Sequence, residues 1–320
     1  MLKVQIKLPL SYNNETVKTA IAKSLKIDVS KVKSYKLLKL SVDARDKSNV
    51  IFNACVAVNV DANKSRILHK FKNVSEYKPT VYAFKKAIKQ PNHRPVIVGA
   101  GPAGLFCAFT LAKAGLMPII IERGDKIEDR VKCVERFWEN GVLNCESNVQ
   151  FGEGGAGTFS DGKLNTGVND SRIPLVLDTF VECGAPEEIL WRQKPHIGTD
   201  KLRQVIVNLR KNIEALGGEF HFNCKMESVI AKGGNVTAVK VKECGVNHDI
   251  PCGILVLALG HSARDTFYNL YNFGVEMIQK PFAVGVRIEH SQDFINRSQY
   301  GDFASHPALP TADYKLAVHL

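Results

Sequence analysis

The chain has 320 residues, of which 45% are hydrophobic and 23% are charged, and its formal net charge is +11. This length allows two or three domains, and the composition is that of an ordinary soluble protein, which excludes a disordered or membrane-embedded chain. The eight cysteines form no CxxC or CxxxxC pair, so we expect neither a metal site nor a dithiol reductase centre.

The positive charge belongs to the N-terminal part of the chain. Residues 1–90 hold 17 Lys and 2 Arg against 6 Asp and Glu, a balance of +13, so the remaining 230 residues carry −2. A basic domain can bind nucleic acid or an acidic partner protein, but a solvated lysine-rich surface is the interpretation that we favour. The first residues contain no apolar core of signal-peptide length, which predicts a cytoplasmic protein.

Residues 1–90 have the pattern of a small α+β domain. Lysines 31, 33, 36 and 39 lie close together, but only Tyr35 interleaves with them, and no RNA-binding signature is present. The polar stretch Gln90–Pro95 indicates a linker. The predicted elements are a strand over residues 2–8, a helix over Glu15–Leu25, strands over Tyr35–Val42 and Val50–Val60, and a helical piece near Tyr82–Ile88.

The clearest motif is the stretch Pro95–Gly124, PVIVGAGPAGLFCAFTLAKAGLMPIIIERG. A strand, a GxGxxG turn, a helix and a second strand ending in an acid follow one another, which predicts dinucleotide binding. Gly99 permits a tight turn, Gly101 lets a pyrophosphate approach the backbone and the helix N-terminus, and Gly104 lets the helix pack on the sheet. Glu122 lies where a carboxylate meets the adenosine ribose. The alternative is a glycine turn without a ligand. Glycines and prolines cut the apolar run into pieces too short to span a membrane.

Helices and strands continue to alternate beyond this motif. The last predicted strand is continuously apolar and stops near Gly260, and ligands bind at such carboxyl ends in open α/β sheets. The predicted elements are a helix over residues 127–141 with Val131, Val134, Phe137 and Trp138 on its apolar side, a helix over Thr199–Leu216, meander strands over Glu219–Asn223, Glu227–Ala231 and Val236–Val241, and a strand over Ile254–Ala258.

A second glycine-dense stretch, NVQFGEGGAGTFSDGKLNTG, covers Asn148–Gly167. Six glycines in twenty residues predict a loop whose backbone approaches another group closely. Its amides, with Thr158, Ser160 and Lys163, could form an anion-binding surface. A flexible surface loop is the alternative.

The order of these parts resembles the glutathione-reductase-like superfamily of FAD-binding oxidoreductases. The resemblance rests on VIVGAGPAGL, the acid that ends IIIERG, the meander and the LVLALG strand. More narrowly, NVQFGEGGAGTFSDGKLNTG, PHIGTD, LALGHSARDTF and KPFAVGVRIEH are together similar to a bacterial family of uncharacterised NAD(P)/FAD-dependent dehydrogenases, whose members also carry a small N-terminal α+β domain.

The resemblance implies the α/β class, with a Rossmann-like FAD-binding domain that includes the β-meander. We expect a small basic α+β domain over residues 1–90, the FAD-binding domain over 91–265 and the start of a substrate domain over 266–320. No further glycine-rich flavin motif follows Gly260, and the chain stops in the strand-like run Tyr314–Leu320, so we expect a truncated sequence.

FAD is the cofactor that the resemblance implies, and the flavin would supply the hydride chemistry. The residues implied to bind FAD are Gly99, Gly101 and Gly104 at the pyrophosphate, Glu122 with its neighbour Arg123 at the adenosine ribose, Val229 near the adenine through its backbone, and Gly155, Gly157, Thr158, Lys163 and Gly260 on the flavin side.

Candidate catalytic residues are His261, Arg264, Arg287 and His290, which could bind an acidic substrate or donate a proton, with Glu289 orienting one of them. Each of them has the alternative of a structural polar group. The sequence therefore predicts an FAD-dependent oxidoreductase of an unidentified small molecule, with NAD(P)H as an electron donor. The alternatives are an RNA-acting flavoprotein guided by the basic domain and a non-catalytic dinucleotide-binding module.

Overall fold

The chain divides into two units in the computed structural model, which describes residues 1–159, 162–164, 166–281, 284–286 and 288–314. The first unit comprises residues 1–80, 190–195 and 281–320, and the second comprises residues 81–189 and 196–280. The predicted boundaries at residues 90 and 265 do not coincide with the edges of these units. The three-domain division stays a prediction.

The first unit has a βαββαβ core. Strand β1 alternates buried leucine, valine and isoleucine side chains with exposed lysine and glutamine, which is the pattern of a sheet with one covered face. The strands pair antiparallel in the order β2-β3-β1-β4. The elements are β1 (Leu2–Leu8), α1 (Asn14–Leu25), β2 (Val32–Asp43), β3 (Ile51–Val60), α2 (Lys64–Lys70) and β4 (Ser75–Glu76).

Helix α1 begins at a capping box. The Asn13 side chain accepts a hydrogen bond from the Thr16 amide at 2.9 Å, and the Thr16 hydroxyl accepts one from the Asn13 amide. From this start, the helix directs Val17, Ile21 and Leu25 into the core against the sheet. Burying each such side chain contributes roughly 1.5–3 kcal/mol, so this apolar stripe fixes the helix on the sheet.

A parallel sheet organises the second unit. Its order is β11-β5-β6-β7, and every neighbouring pair is parallel, as in one half of a Rossmann fold. The elements are β5 (Val96–Val98), α3 (Pro102–Lys113), β6 (Ile119–Ile121), α4 (Ile127–Asn140), α5 (Ile173–Glu182), α6 (Thr199–Ala215) and β7 (Glu219–His221).

An antiparallel meander follows β7 along the chain. It consists of β8 (Cys224–Lys232), β9 (Asn235–Glu243) and β10 (Val246–Pro251). The chain then enters the parallel sheet again as β11 (Leu255–Leu257) and continues as α7 (Arg264–Phe273). The meander was predicted to begin at residue 219, but β7 pairs with β6 and therefore belongs to the parallel sheet.

The first unit also contains the last described helix, α8 (Gln292–Tyr300), whose first turn is capped by the hydroxyl of Ser291. Residues 190–195 lie beside β2, where the Leu40 amide donates to the Trp191 carbonyl at 2.7 Å. Residues 315–320 of the predicted strand-like tail lie outside the described part of the chain. Over the described residues, every helix falls short of the length and apolar character that a membrane crossing requires.

Two sequence predictions are wrong in detail. Residues 81–88 form no helix, and in this irregular segment Phe84 contacts the rings of Tyr82 and Phe109 edge to face. In α4, Trp138 is 57% exposed, and the helix instead buries Ile127, Val134 and the charged Arg130. The helical period was therefore predicted correctly, but the buried face is rotated relative to the prediction.

His221, at the end of β7, gives the second unit a pH-dependent stability. Its Nδ1 lies 2.8 Å from Glu243 and its Nε2 lies 2.8 Å from Glu219. Burial opposes the charged form, but the two carboxylates outweigh it and raise the pKa of His221. A raised pKa stabilises the fold below the unfolded-state pKa, and this stabilisation is lost as the pH rises through the folded-state pKa.

We therefore expect His221→Gln to lower the free energy of unfolding by about 1 kcal/mol at pH 5.5 and by less at pH 8.5. Urea denaturation of both proteins at the two pH values measures this difference. His248→Gln is the matched control, since His248 lies 3.4 Å from Glu243 alone. A difference that is equal at both pH values would contradict the assignment.

Candidate functional site

A cavity of about 580 Å³ lies at the carboxyl ends of β11, β5 and β6 in the second unit. This is the edge of an open α/β sheet at which ligands bind, and the volume is within the usual range for small-molecule sites. Its lining comes from residues 98, 99, 101–103, 121–123, 150–152 and 155–157, from the start of β8 at residues 224–226, and from residues 257–263 with parts of α7 and the segment after it.

Two glycines of the GxGxxG turn are required by packing. Gly99 has φ +104°, and a Cβ atom there would overlap the carbonyl oxygen of Ala258 on the neighbouring chain segment. A Cβ atom at Gly104 would overlap the carbonyl oxygen of Gly99. Gly99 therefore allows the turn to pack against the end of β11, and Gly104 allows α3 to pack against the turn. The sequence predicted both the tight turn and the close helix packing.

Gly101 differs from these two glycines. Its φ is −73°, which any residue can adopt, and the nearest atom to a Cβ built there is the Cα of Gly155, at 3.8 Å. It precedes α3, which has Pro102 in its first turn and no side-chain cap. The missing side chain therefore leaves space in front of the helix N-terminus, whose free amides and dipole attract an anion.

Glu122 is buried at the end of β6 and connects the two glycine loops. Its carboxylate accepts hydrogen bonds from the amides of Ala100 at 2.8 Å, Gly124 at 2.9 Å and Gly152 at 3.0 Å. A carboxylate has about four acceptor positions, so one position is left for a further donor. Glu122 lines the cavity, and its contact with a ribose hydroxyl stays a prediction.

The second glycine loop is folded around Arg130 of α4, whose side chain is fully buried. The interpretation of a flexible surface loop is wrong over residues 148–155, because one guanidinium fixes their backbone. Burial lowers the pKa of Arg130 to about 10, so it is still charged at neutral pH. It donates five hydrogen bonds, of 2.6 to 3.3 Å, to the carbonyl oxygens of Asn148, Val149, Gly152, Glu153 and Gly155.

Gly152 and Glu153 complete this arrangement. Gly152 has φ +117°, and a Cβ atom there would overlap the Arg130 side chain. Glu153 is buried, and burial raises the pKa of its carboxyl group. It accepts hydrogen bonds from the Ile127 amide and from Nε of Arg210, both at 2.9 Å. Glu153 thereby attaches the loop to the first residue of α4 and to the C-terminal half of α6.

Arg123 lines the cavity but is engaged by side chains of the same unit. It forms a two-fold hydrogen bond with Asp265, at 3.0 and 2.8 Å, and a further one with Glu146 at 2.7 Å. Its guanidinium also lies 4.3 Å from the ring centre of Phe151. These bonds from Arg123 hold the pKa of Asp265 well below its usual range, and Lys225 adds an ion pair to Asp265 at 2.8 Å.

The other predicted cofactor residues are divided by the structure. Gly155, Gly157 and Gly260 line the cavity, whereas Thr158, Lys163 and Val229 do not. Thr158 is buried, and its hydroxyl has no hydrogen-bond partner within the described ranges. Val229 lies in the core of the meander opposite Val239, and β8 reaches the cavity through Cys224, Lys225 and Met226 instead. Lys163 bridges to His196, and Ser160 is outside the described residues.

The catalytic candidates belong to both units. His261 lines the cavity, and Arg264 is exposed at the start of α7 without lining it. His290 belongs to the first unit with Glu289, and its Nδ1 lies 2.7 Å from the Tyr314 hydroxyl. Arg287 is outside the described residues.

Sequence reasoning missed Arg130, Glu153 and Arg210. A signal for Arg130 exists, since it lies three residues after Ile127 and four before Val134, in the stripe that α4 buries. Glu153 carries no comparable signal, because its partner Arg210 is 57 residues away in sequence.

Three family models match parts of the sequence. Residues 97–149 match an NAD(P)-binding Rossmann-like domain, and residues 281–320 match the C-terminal domain-like part of FAD-dependent proteins. Residues 1–59 match a domain of unknown function (DUF8436). Together with the sheet order, these matches confirm the Rossmann-like α/β class and FAD as the cofactor.

An uncharacterised protein of Clostridium beijerinckii is 44% identical to this chain over 316 residues. The match covers 97% of this chain and 58% of that protein, so the chain spans a little over half the length of this curated relative.

Solved structures resemble this chain only distantly. THI4 of Thermovibrio ammonificans has a TM-score of 0.39 at 16% identity, with 57% of this chain and 64% of that chain covered. A geranylgeranyl bacteriochlorophyll reductase-like protein from Thermoplasma acidophilum has a TM-score of 0.34 at 14% identity, with 54% and 40% covered.

Replacing Arg130 tests the role of the buried guanidinium. We expect Arg130→Met to lower the free energy of unfolding by about 3 kcal/mol or more, because several buried carbonyl groups lose their donor. Urea denaturation measures the loss, and limited proteolysis followed by mass spectrometry should find new cleavage within residues 148–157. Arg136→Met, on the exposed face of the same helix, should change stability by less than about 0.5 kcal/mol. Equal effects of the two substitutions would contradict this role.

Proposed function

We propose that this protein is an FAD-dependent oxidoreductase that acts on a small molecule and takes electrons from NADH or NADPH. The observation that carries the proposal is the N-terminus of α3, which lines the cavity together with Gly101 and with the loop at Gly155. Such a site suits a pyrophosphate, because glycine at position 101 keeps a side chain away from the helix N-terminus, whose first amides have no partner within the helix. Membership of the glutathione-reductase-like superfamily is part of this proposal.

Different parts of the cavity lining fit different parts of FAD. Gly99 and Gly101 with the start of α3 would hold the pyrophosphate, and the remaining acceptor position of Glu122 would take a ribose hydroxyl. The start of β8, at residues 224–226, lies on the same side as Glu122 and would border the adenine. This assignment gives the contact with adenine to residues 224–226, which line the cavity, and no longer to Val229, which the sequence had predicted for that role.

The flavin side would face Gly155–Gly157 and the segment after β11. When bound, FAD would supply the chemistry of hydride or electron acceptance. The chain would orient the cofactor through the loop that Arg130 holds. His261 is the imidazole of the cavity lining, and an imidazole can give or take a proton near neutral pH. We assign His261 as the proton-transferring candidate, because Arg264 of the same unit does not line the cavity.

The two alternatives from the sequence are not favoured. An RNA-acting flavoprotein and a non-catalytic dinucleotide-binding module both include the same cofactor site, and no observation at that site points to either of them. The match of residues 281–320 to FAD-dependent proteins supports an oxidoreductase instead.

The first test is binding of FAD to the purified chain. We expect quenching of flavin fluorescence on titration, and at least about tenfold weaker binding by Gly101→Ala, whose methyl group would occupy the space for the pyrophosphate. This variant should fold normally, because the position has an ordinary φ and the added Cβ atom would lie 3.8 Å from its nearest neighbour, an ordinary contact distance. Gly253→Ala, which adds a methyl group to open space, is the control. The proposal fails if the wild-type chain does not bind FAD or if both variants bind it equally well.

The second test concerns the electron donor. We expect NADH or NADPH, added without oxygen, to bleach the flavin absorbance of the FAD-loaded protein much faster than it bleaches free FAD. A rate equal to that of free FAD with both nucleotides would rule out nicotinamide as the donor. The FAD assignment would then still rest on the binding titration.

A further inference from the structure

The sheet of the first unit has one covered face and one face that carries lysines. Leu2, Val4, Ile6 and Leu8 of β1 point into the core against α1 and α2, so the residues between them point to the opposite face. On that opposite face, β1 presents Lys3, Gln5 and Lys7. We call this surface the lysine face.

The strand register brings two lysines of β2 to the same surface. Lys36 and Lys3 both pair with Ala57 of β3, one from each side. One row further along, Lys39 and Gln5 both pair with Cys55. Since directly paired residues share a face, β1 and β2 carry lysines on either side of β3, which has small residues between them.

The dimensions of the lysine face follow from sheet geometry. Lys3 and Lys36 are two strands apart, which is about 10 Å, and Lys3 and Lys7 are four residues apart, which is about 13 Å. Four ammonium groups, those of Lys3, Lys7, Lys36 and Lys39, therefore lie within one small patch. Ala57 and Cys55 do not project between them.

None of these four lysines forms an ion pair with a residue in the part of the chain that the structure describes. Lysines elsewhere in the unit do, such as Lys33 with Asp61 and Lys78 with Glu76. The acid on the lysine face is Asp43, at the end of β2, and it is already bound by Arg45 and by the side chain of Asn53. The four positive charges therefore repel one another without compensation, which costs stability.

The composition of this face distinguishes between two anionic partners. Sheets that bind single-stranded RNA stack the bases on aromatic side chains of their central strands. At the corresponding positions β1 and β3 carry Gln5, Cys55 and Ala57, which offer no ring for stacking. The cations are all lysines, whose compact ammonium groups pair with carboxylates as point charges, and none is an arginine that could bind a base edge by two parallel bonds.

We propose that the lysine face is a docking surface for an acidic segment of a partner protein. Carboxylates spaced by about 10 Å would neutralise the lysines across the sheet. Exposed charge pairs of this kind give modest affinity, fast association and strong dependence on salt. The proposal is independent of the cofactor site, because it concerns residues of the first unit alone.

The test uses fluorescently labelled poly-glutamate of twenty residues as the acidic probe and a twenty-nucleotide oligouridylate as the competing class. Binding to the full chain is measured by anisotropy at 50 and 150 mM salt. The face variant carries Lys→Gln at positions 3, 7, 36 and 39. The control variant carries Lys→Gln at positions 18, 23, 64 and 72, so it loses the same charge from helices and a loop of the same unit.

We expect the face variant to bind poly-glutamate at least about tenfold more weakly than the wild type, and the control variant less than about threefold more weakly. Thermal unfolding of the face variant should be unchanged or shifted upwards, because mutual repulsion is removed. If the four substitutions prevent folding, the pair Lys36→Gln and Lys39→Gln on the edge strand β2 serves in their place.

Three results would overturn the proposal. Equal losses in the face and control variants would indicate a response to net charge alone. Tighter binding of oligouridylate, lost in the face variant, would assign the surface to nucleic acid. Absence of poly-glutamate binding by the wild type at 50 mM salt would make the lysine face a solvated surface.

Discussion

The buried guanidinium of Arg130 is the group on which the shape of the cavity depends. A loop with so many glycines has little conformational preference of its own, and its backbone loses more freedom on folding than other sequences do. Five hydrogen bonds from one cation replace that missing preference. The burial of the charge is costly, and the nearby carboxylates of Glu122 and Glu153 offset part of it. The loop is therefore ordered chiefly by Arg130, which does not line the cavity itself.

The part of the fold that the sequence predicted best is the segment from β5 to β6. Its determinants are local, since two apolar strands, three glycines and an acid lie within thirty residues of one another. The three glycines nevertheless have different roles. Gly99 and Gly104 are required by packing against Ala258 and against the turn, whereas a Cβ atom at Gly101 would make only an ordinary contact with Gly155. A motif search gives all three equal weight, and only the coordinates separate a packing constraint from a ligand constraint.

Predictions failed where a contact joins distant segments or where a segment lacks periodicity. The Glu122 carboxylate accepts a hydrogen bond from the amide of Gly152, thirty residues later in the sequence. Residue spacing therefore does not predict that most of its acceptor positions are occupied by backbone amides of the protein. Strand β10 was missed because its sequence, VNHDIP, is polar and ends in proline, and it forms by pairing with the more regular β9. The lysines of the first unit cluster differently in space than in sequence: Lys33 pairs with Asp61, while Lys3 joins Lys36 through the register.

The carbonyl of Gly155 that Arg130 holds has an electrical consequence for the cavity. In a trans peptide, the carbonyl and the following amide point in opposite directions, so the N–H of Ala156 points away from the guanidinium. The negative end of this peptide dipole is neutralised by a buried cation, and the peptide lies in the cavity lining with Gly101 and Pro102. Its positive end and the N-terminus of α3 are two backbone dipoles of different origin that both favour negative charge. An anion there would be stabilised by oriented peptide groups, with the positive side chain acting through the backbone and never touching the ligand.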